Sequence, residues 1–281
     1  HLESEKKAEE PKPQPKAAEP VAVVKKAELN KEPESVDDIT LEAGKKLILI
    51  DCGLGNKQDD KFFGHYSLWG DDNLDKNLKK YGFVREDITD VFLTHLHFDH
   101  CGGAIEWNDD RTGYRPAFKN AHFWTNENHW QWATEPNARE KASFLKENII
   151  PMQESGQLNF LPLPTTGNYG FAPDLKMDVI FVDGHTEKQM LPVIQYQEKT
   201  IVFAADLIPT AGHINQVYVM GYDTRPLLTL EEKGKFLKQC IDNEYLLFFE
   251  HDAHNELASL KMTEKGVRLD ETFSFNDVFG Y

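Results

Sequence analysis

The sequence is poor in cysteine, in long apolar runs and in clustered positive charge, and each shortage removes a class of answer. Three cysteines (Cys52, Cys101 and Cys240) stand far apart along the chain. They cannot build the disulfide framework of a small secreted scaffold, and their scarcity points to a reducing, cytoplasmic compartment. No run approaches the ~18 consecutive apolar residues of a membrane helix. No secretory leader is visible, although the chain starts at His1 rather than Met, which leaves a removed leader open. Lys and Arg (31) are outnumbered by Asp and Glu (47), for a formal net charge of −16. Without a basic stripe, neither a nucleic-acid backbone nor an anionic membrane is the expected partner. The acidity serves solubility.

Residues 1–38 lack aromatics altogether, and Pro11, Pro13, Pro15 and Pro20 stiffen their first part. A Lys/Glu/Pro/Ala composition of this kind buries too little apolar surface to offset the entropy of ordering. A solvated tail over 1–38 and one globular domain over 39–281 are therefore expected, the latter long enough to enclose a large core.

Against these shortages one stretch is rich. Residues 94–101 read Thr-His-Leu-His-Phe-Asp-His-Cys, placing His95, His97, Asp99 and His100 within six positions. The β-branched and aromatic run over 88–94 predicts a buried strand leading into them, and Gly102-Gly103 predicts a turn beyond. Imidazole and carboxylate are donors suited to zinc, manganese or iron. His95 and His97, two apart on an extended chain, face the same way. A lone histidine is most often an ordinary surface or core residue, but four donors at this spacing point to a metal site.

The rest of the pattern predicts an α/β architecture. Residues 46–51 read as a strand buried on both faces, ending in the Gly53/Gly55 turn. Leu74, Leu78 and Tyr81 give a helix over 71–81 with Gly82 as its cap. A strand follows at 121–125, then a helix over 137–149 stopped by Pro151, then a loop over 161–174 rich in Pro and Gly. Strands are predicted over 177–183, 191–197, 200–205 and 245–250, a helix over 229–240, and a polar, alternating tail. Trp124, Trp130 and Trp132 are either core or the lining of an apolar acyl pocket.

Three further donors, His185, Asp206 and His251, each end a predicted strand. Strand ends along one sheet edge share a cleft where ligands gather. Five His and two Asp are enough for two metals sharing a carboxylate.

With these residues in view, the sequence resembles the metallo-β-lactamase-fold hydrolases over about residues 45–256. The markers are Ile48-Leu49-Ile50-Asp51 with its glycine turn, His95-x-His97-x-Asp99-His100, Gly184-His185-Thr186, Asp206, and Phe249-Glu250-His251-Asp252. The resemblance implies an αβ/βα sandwich with the site along one edge. It implies that His95, His97 and His185 hold a first metal, that Asp99, His100 and His251 hold a second, and that Asp206 bridges. Zinc is the expected ion, with Mn2+, Fe2+ and Co2+ as alternatives. The zinc β-lactamases usually lack the histidine standing here as His100 and place Cys where Asp206 stands. Diiron flavoprotein oxidases carry an acid where His97 stands. The likeness is stronger to the dinuclear N-acyl-homoserine lactonases and related organophosphate and ester hydrolases.

Two departures accompany it. Many such lactonases have a tyrosine three positions after the bridging aspartate, where this chain has Pro209, and the strands that open the family's fold have no counterpart in residues 1–38. The implied activity is opening of a small neutral lactone or ester by a water activated between two cations about 3.5–4 Å apart. Asp99 or Asp206 would relay the proton to the leaving group. His213, Tyr218, Tyr222 and Arg225 are candidates for touching substrate, with loop packing the alternative. Asp183 and Asp252 are candidates for orienting the histidines, or are turn formers. The rival activities are a phosphodiesterase or phosphotriesterase of the same fold, and a non-catalytic, metal-stabilised binding module.

Overall fold

The computed structural model describes residues 39–43, 46–68, 70, 73–163, 169–172 and 176–280. The expected tail over 1–38 lies outside them. The first sheet runs β1 (Ile39–Ala43), β2 (Lys46–Ile50), β3 (Asp90–Phe92), β6 (His122–Asn126), β7 (Leu158–Leu161), with β4 (Ile105–Trp107) and β5 (Tyr114–Pro116) forming a separate ribbon. β1 pairs antiparallel with β2, and the remaining pairs are parallel. The second sheet uses β8 (Tyr169–Ala172), β9 (Met177–Val182), β10 (Gln189–Tyr196), β11 (Lys199–Phe203), β12 (Leu246–Phe248), β13 (Leu257–Thr263) and β14 (Gly266–Phe273). Its order is the reverse of the chain, β14 to β8, and only β11 and β12 pair in parallel.

Alternation along the first sheet decides how the layers stack. Ile48, Ile50 and Phe92 join Val179, Leu191 and Val202 in one core, between the sheets. Their neighbours Leu47, Leu49 and Val91 point the other way. There they meet α2 (Leu74–Lys80), α4 (Glu127–Thr134) and α5 (Lys146–Glu154) through Leu78, Trp130 and Ile149. Short helix α3 (Phe98–Cys101) carries Asp99 and His100 of the histidine motif, and α1 (Asp60–Phe63) lies against it through Phe62 and Phe98, while α6 (Pro226–Asp242) packs on β13 and β14, and α7 (Phe275–Phe279) closes the chain. The layers are helix, sheet, sheet, helix, the αβ/βα sandwich that the resemblance implies. Among the described residues no helix is long and apolar enough to cross a membrane.

Four expectations need correction. Pro151 does not stop a helix: it lies inside α5, which begins at Lys146 rather than near 137. Pro151 removes one backbone hydrogen bond, and burial of Ile149 and Met152 on either side outweighs it. The stretch over 161–174 is not all loop, because Tyr169–Ala172 forms an edge strand, where a register irregularity at Gly170 is tolerated. Residues 164–168 and 173–175 lie outside the described set. The alternating C-terminal stretch is a hairpin, β13 on β14, not a tail. Finally, a strand does precede the Leu-Ile-Asp strand, since β1 pairs with β2 along its full length.

Close approach of two turns fixes the site. The backbone N–H of Cys52 donates to the carbonyl of His100 at 2.8 Å, and that of Gly103 to Gly53 at 2.9 Å. A side chain at Gly102 or Gly103 would collide with the carbonyl oxygens of Leu54 or Cys52. Only glycine lets the motif turn lie against the turn after β2.

Candidate metal centre

Every donor singled out in the sequence leaves the end of a strand on one edge of the sandwich. His95, His97, Asp99 and His100 follow β3, His185 follows β9, Asp206 follows β11 and His251 follows β12. Asp206 is preceded by Ala205 at φ +40°, a left-handed backbone that a non-glycine residue holds only under tertiary constraint.

The donors form two groups. In the first, His95 Nε2 lies 3.0 Å from His97 Nδ1, which lies 3.2 Å from His185 Nε2. Asp206 Oδ2 completes it, 3.0 Å from His185 Nε2 and 3.8 Å from His95 Nε2. In the second, His100 Nε2 and His251 Nε2 are 3.3 Å apart. The other oxygen of Asp206, Oδ1, faces them at 3.6 Å and 3.1 Å. Asp206 stands between the groups with one oxygen turned to each. Asp99 takes a rim position, its Oδ2 3.9 Å from His100 Nε2. Glu250, which the sequence reading did not count as a donor, is buried beside the second group.

These residues fit divalent cations. Ring nitrogens 3.0–3.3 Å apart can share at most one proton per pair, and Asp206 Oδ1 is a buried oxygen without a hydrogen-bond donor. Asp51, Glu140, Asp206, Asp223 and Glu250 are all buried around the groups. Among the described residues none lies within ion-pair distance of a Lys or Arg; their ion-pair contacts are all with histidines. Such a concentration of buried carboxylate needs positive charge from somewhere. In the protein alone, protons supply it. Burial opposes charge on His100, yet Glu250, Asp206 and Asp99 hold its pKa well above the ordinary value. Against the same burial, Asp206 raises His185 and His251 to about 9 each. His95 goes the other way, well below the ordinary value, through burial and the neighbouring imidazoles. Burial lifts Glu250 to about 8, partly opposed by His100.

Four of the five histidines have a polar oxygen within 3.5 Å of the ring nitrogen that faces away from the groups. His185 Nδ1 meets Asp223 Oδ1 at 3.1 Å, and His97 Nε2 has Glu140 Oε1 at 3.5 Å. His100 Nδ1 lies 3.0 Å from both Asp51 Oδ2 and Glu250 Oε2, and His95 Nδ1 lies 3.1 Å from Thr94 Oγ1. Glu140 also accepts from Trp132 Nε1 and Asn137 Nδ2. The two aspartates expected for this role have other work. Asp183 binds Lys188, and Asp252 accepts from the backbone of Ala211, His254 and Asn255. Asp223, Glu140 and Glu250 escaped notice because nothing local marks a carboxylate that meets a histidine dozens of residues away.

The substrate candidates divide. Tyr218 and Tyr222 are exposed, 57% and 80%, and His213 is half-buried with Nδ1 2.8 Å from Thr210 Oγ1. Arg225 is committed elsewhere: it donates to the Asp183 carbonyl and to Glu187 and covers the Trp132 ring. The tryptophans are split between two layers, Trp124 against the core between the sheets and Trp130 and Trp132 among the helices. Trp124 donates to Asp90 on the sheet, Trp130 is buried in the helix layer, and Trp132 holds Glu140. The aromatic surface beside the motif is another one, Phe62, Tyr66 and Phe98, with ring centroids 5.0–5.4 Å apart. No periodicity in the sequence marked Phe62 or Tyr66.

Comparison with known proteins agrees with this geometry. The family model of the metallo-beta-lactamase superfamily matches residues 33–235. An N-acyl homoserine lactonase of Bacillus cereus is 25% identical over 229 residues, 77% of this chain and 80% of its own. The fold is similar to that of a probable metal-dependent hydrolase from Staphylococcus aureus, with a TM-score of 0.70 and 24% identity, covering 84% of this chain and 82% of that one. It is also similar to AidC, a dizinc quorum-quenching lactonase solved with a product, with a TM-score of 0.64 and 24% identity over 84% of this chain and 79% of that one.

Proposed function

The chain belongs to the metallo-beta-lactamase superfamily and is a metal-dependent hydrolase of that fold, and from this premise we propose that it is a dinuclear enzyme that opens lactones, N-acyl-homoserine lactones foremost, with carboxylic esters as secondary substrates. The observation that carries the dinuclear reading is Asp206, whose two oxygens each face a separate group of imidazoles. His95, His97 and His185 would hold one cation, Asp99, His100 and His251 the other, and Asp206 both. Zinc fits the nitrogen-rich first group. The substrate class is supported by the Bacillus cereus relative, a lactonase, and by the ring-opened N-acyl-homoserine product bound in AidC.

When bound, the cations would bring the pKa of a shared water towards neutrality and polarise the carbonyl to be attacked. The protein's own groups do the rest. Thr94, Glu140, Asp223 and Asp51 fix the tautomer and direction of the histidines, so that their free nitrogens converge. Asp99, at the rim, is placed to take a proton and return it to the departing alkoxide. Pro209 has no hydroxyl to offer the leaving group, so orientation falls to His213 or Tyr222. Phe62, Tyr66 and Phe98 give an acyl chain an apolar surface, each buried methylene contributing about 0.8 kcal/mol.

Ring opening of short- and long-chain N-acyl-homoserine lactones, followed as acid release by the metal-loaded protein, tests the reading beside a phosphodiester control. Lactone opening with a KM that falls as the acyl chain lengthens is expected. Phosphodiester cleavage without lactone opening would replace this function with the rival one.

A further inference from the structure

His129 is fully buried on α4, and the chemistry above gives it no task. Both of its ring nitrogens are spent on backbone. Nε2 accepts the N–H of Leu96 at 2.8 Å, so the ring proton sits on Nδ1, which donates to the carbonyl of Glu187 at 2.5 Å. A charged ring has no acceptor to offer Leu96, and the other tautomer offers none either; only neutral imidazole protonated on Nδ1 makes both bonds. The two backbone groups are telling. Leu96 lies between His95 and His97, and Glu187 lies two residues beyond His185. One rigid ring therefore ties the turn carrying two histidines of the first group to the loop carrying the third.

Asn126 supports the same joint. Its Oδ1 accepts from the His129 N–H and its Nδ2 donates to the Lys188 carbonyl, each at 2.9 Å. The N–H of Met190 donates to the Thr94 carbonyl at 2.8 Å across the same gap. Of these three ties, only His129 reaches the peptide between His95 and His97. We propose that His129 is a positioning residue that sets the spacing of His95 and His97 against His185, and so the affinity of the first cation site. This rests on the metal reading above but concerns a residue that touches neither cation nor substrate.

Three variants test it: His129→Leu, which removes both bonds; His129→Gln, whose amide can accept from Leu96 and donate to Glu187; and Ile149→Ala, a packing defect in the same helix layer. Stepwise Co2+ affinities come from chelator competition, with the visible absorption of the loaded protein as a second readout. His129→Leu is expected to weaken the first-site ion roughly 10- to 100-fold, as loss of an outer partner typically does, and to shift the Co2+ bands. His129→Gln should stay within about threefold of the wild type, and Ile149→Ala should match the lost melting temperature without moving affinity or spectrum. Wild-type affinity in His129→Leu, no rescue by Gln, or equal metal loss in Ile149→Ala overturns the proposal. A wild-type chain that takes up no cation overturns the metal reading itself, and this one with it.

Discussion

Asp223 shows what a single side chain adds to the centre. Its Oδ1 meets His185 Nδ1 and its Oδ2 accepts the backbone N–H of Met220, so it turns the His185 ring and secures the loop that carries it. Asp223→Asn keeps an acceptor but loses the charge. It is expected to weaken first-site metal about 10-fold, read by chelator competition, with little change in unfolding midpoint. Unchanged affinity would mean that the contact is packing alone. At this scale the sequence was legible where chemistry is local. The seven donors could be named because each follows an apolar run, and four of them sit in six positions. Asp223, Glu140 and His129 could not, because the groups they hold at the centre are 33 to 58 residues away and only the folded chain brings them together. The three tryptophans stayed open between two readings for a different reason: a large aromatic suits a core and a pocket equally well, and packing decides for the core.

Among the elements, the segment after β11 depends on one buried cation. Lys233, on α6, has no exposed surface and donates to the carbonyls of His213, Asn215 and Tyr218 at 2.6, 3.1 and 2.6 Å. Those carbonyls belong to the loop that carries His213 and Tyr218. Lys233→Met leaves them without a donor. A loss of about 3 kcal/mol in unfolding free energy is expected, since each stranded buried acceptor costs about 1–3 kcal/mol and some will reach water. Amide exchange over 213–218 should rise with it. Protection that stays at wild-type level would show that the loop holds itself. The strands were readable from their periods, and Ile48/Ile50 against Leu47/Leu49 assigns each face of β2 to its layer. Pro151 inside α5 was not readable, because burial on both sides outweighs one missing hydrogen bond. The final hairpin was missed because its polar alternation also describes an unstructured tail.

Over the whole molecule, the centre joins the two sheets. His95, His97, Asp99 and His100 come from the first and His185, Asp206 and His251 from the second, so bound cations would act as a clasp between layers. A ligand at 100 times its Kd adds about 2.7 kcal/mol per site. With two sites emptied, chelation is therefore expected to lower the melting temperature by roughly 10–20 °C for a chain of this size, and readdition should restore it. Deleting residues 1–38 is expected to leave melting temperature and turnover unchanged, because that composition supplies no core; a fall of several degrees would show that the segment completes the fold. The most direct test is a count of ions. Native mass spectrometry of the protein, loaded with Zn2+ and exchanged free of excess, should show two cations per chain in the wild type and at most one in Asp206→Ala. One cation or none in the wild type, or two held undiminished by Asp206→Ala, would contradict a centre built on a carboxylate shared between two metals.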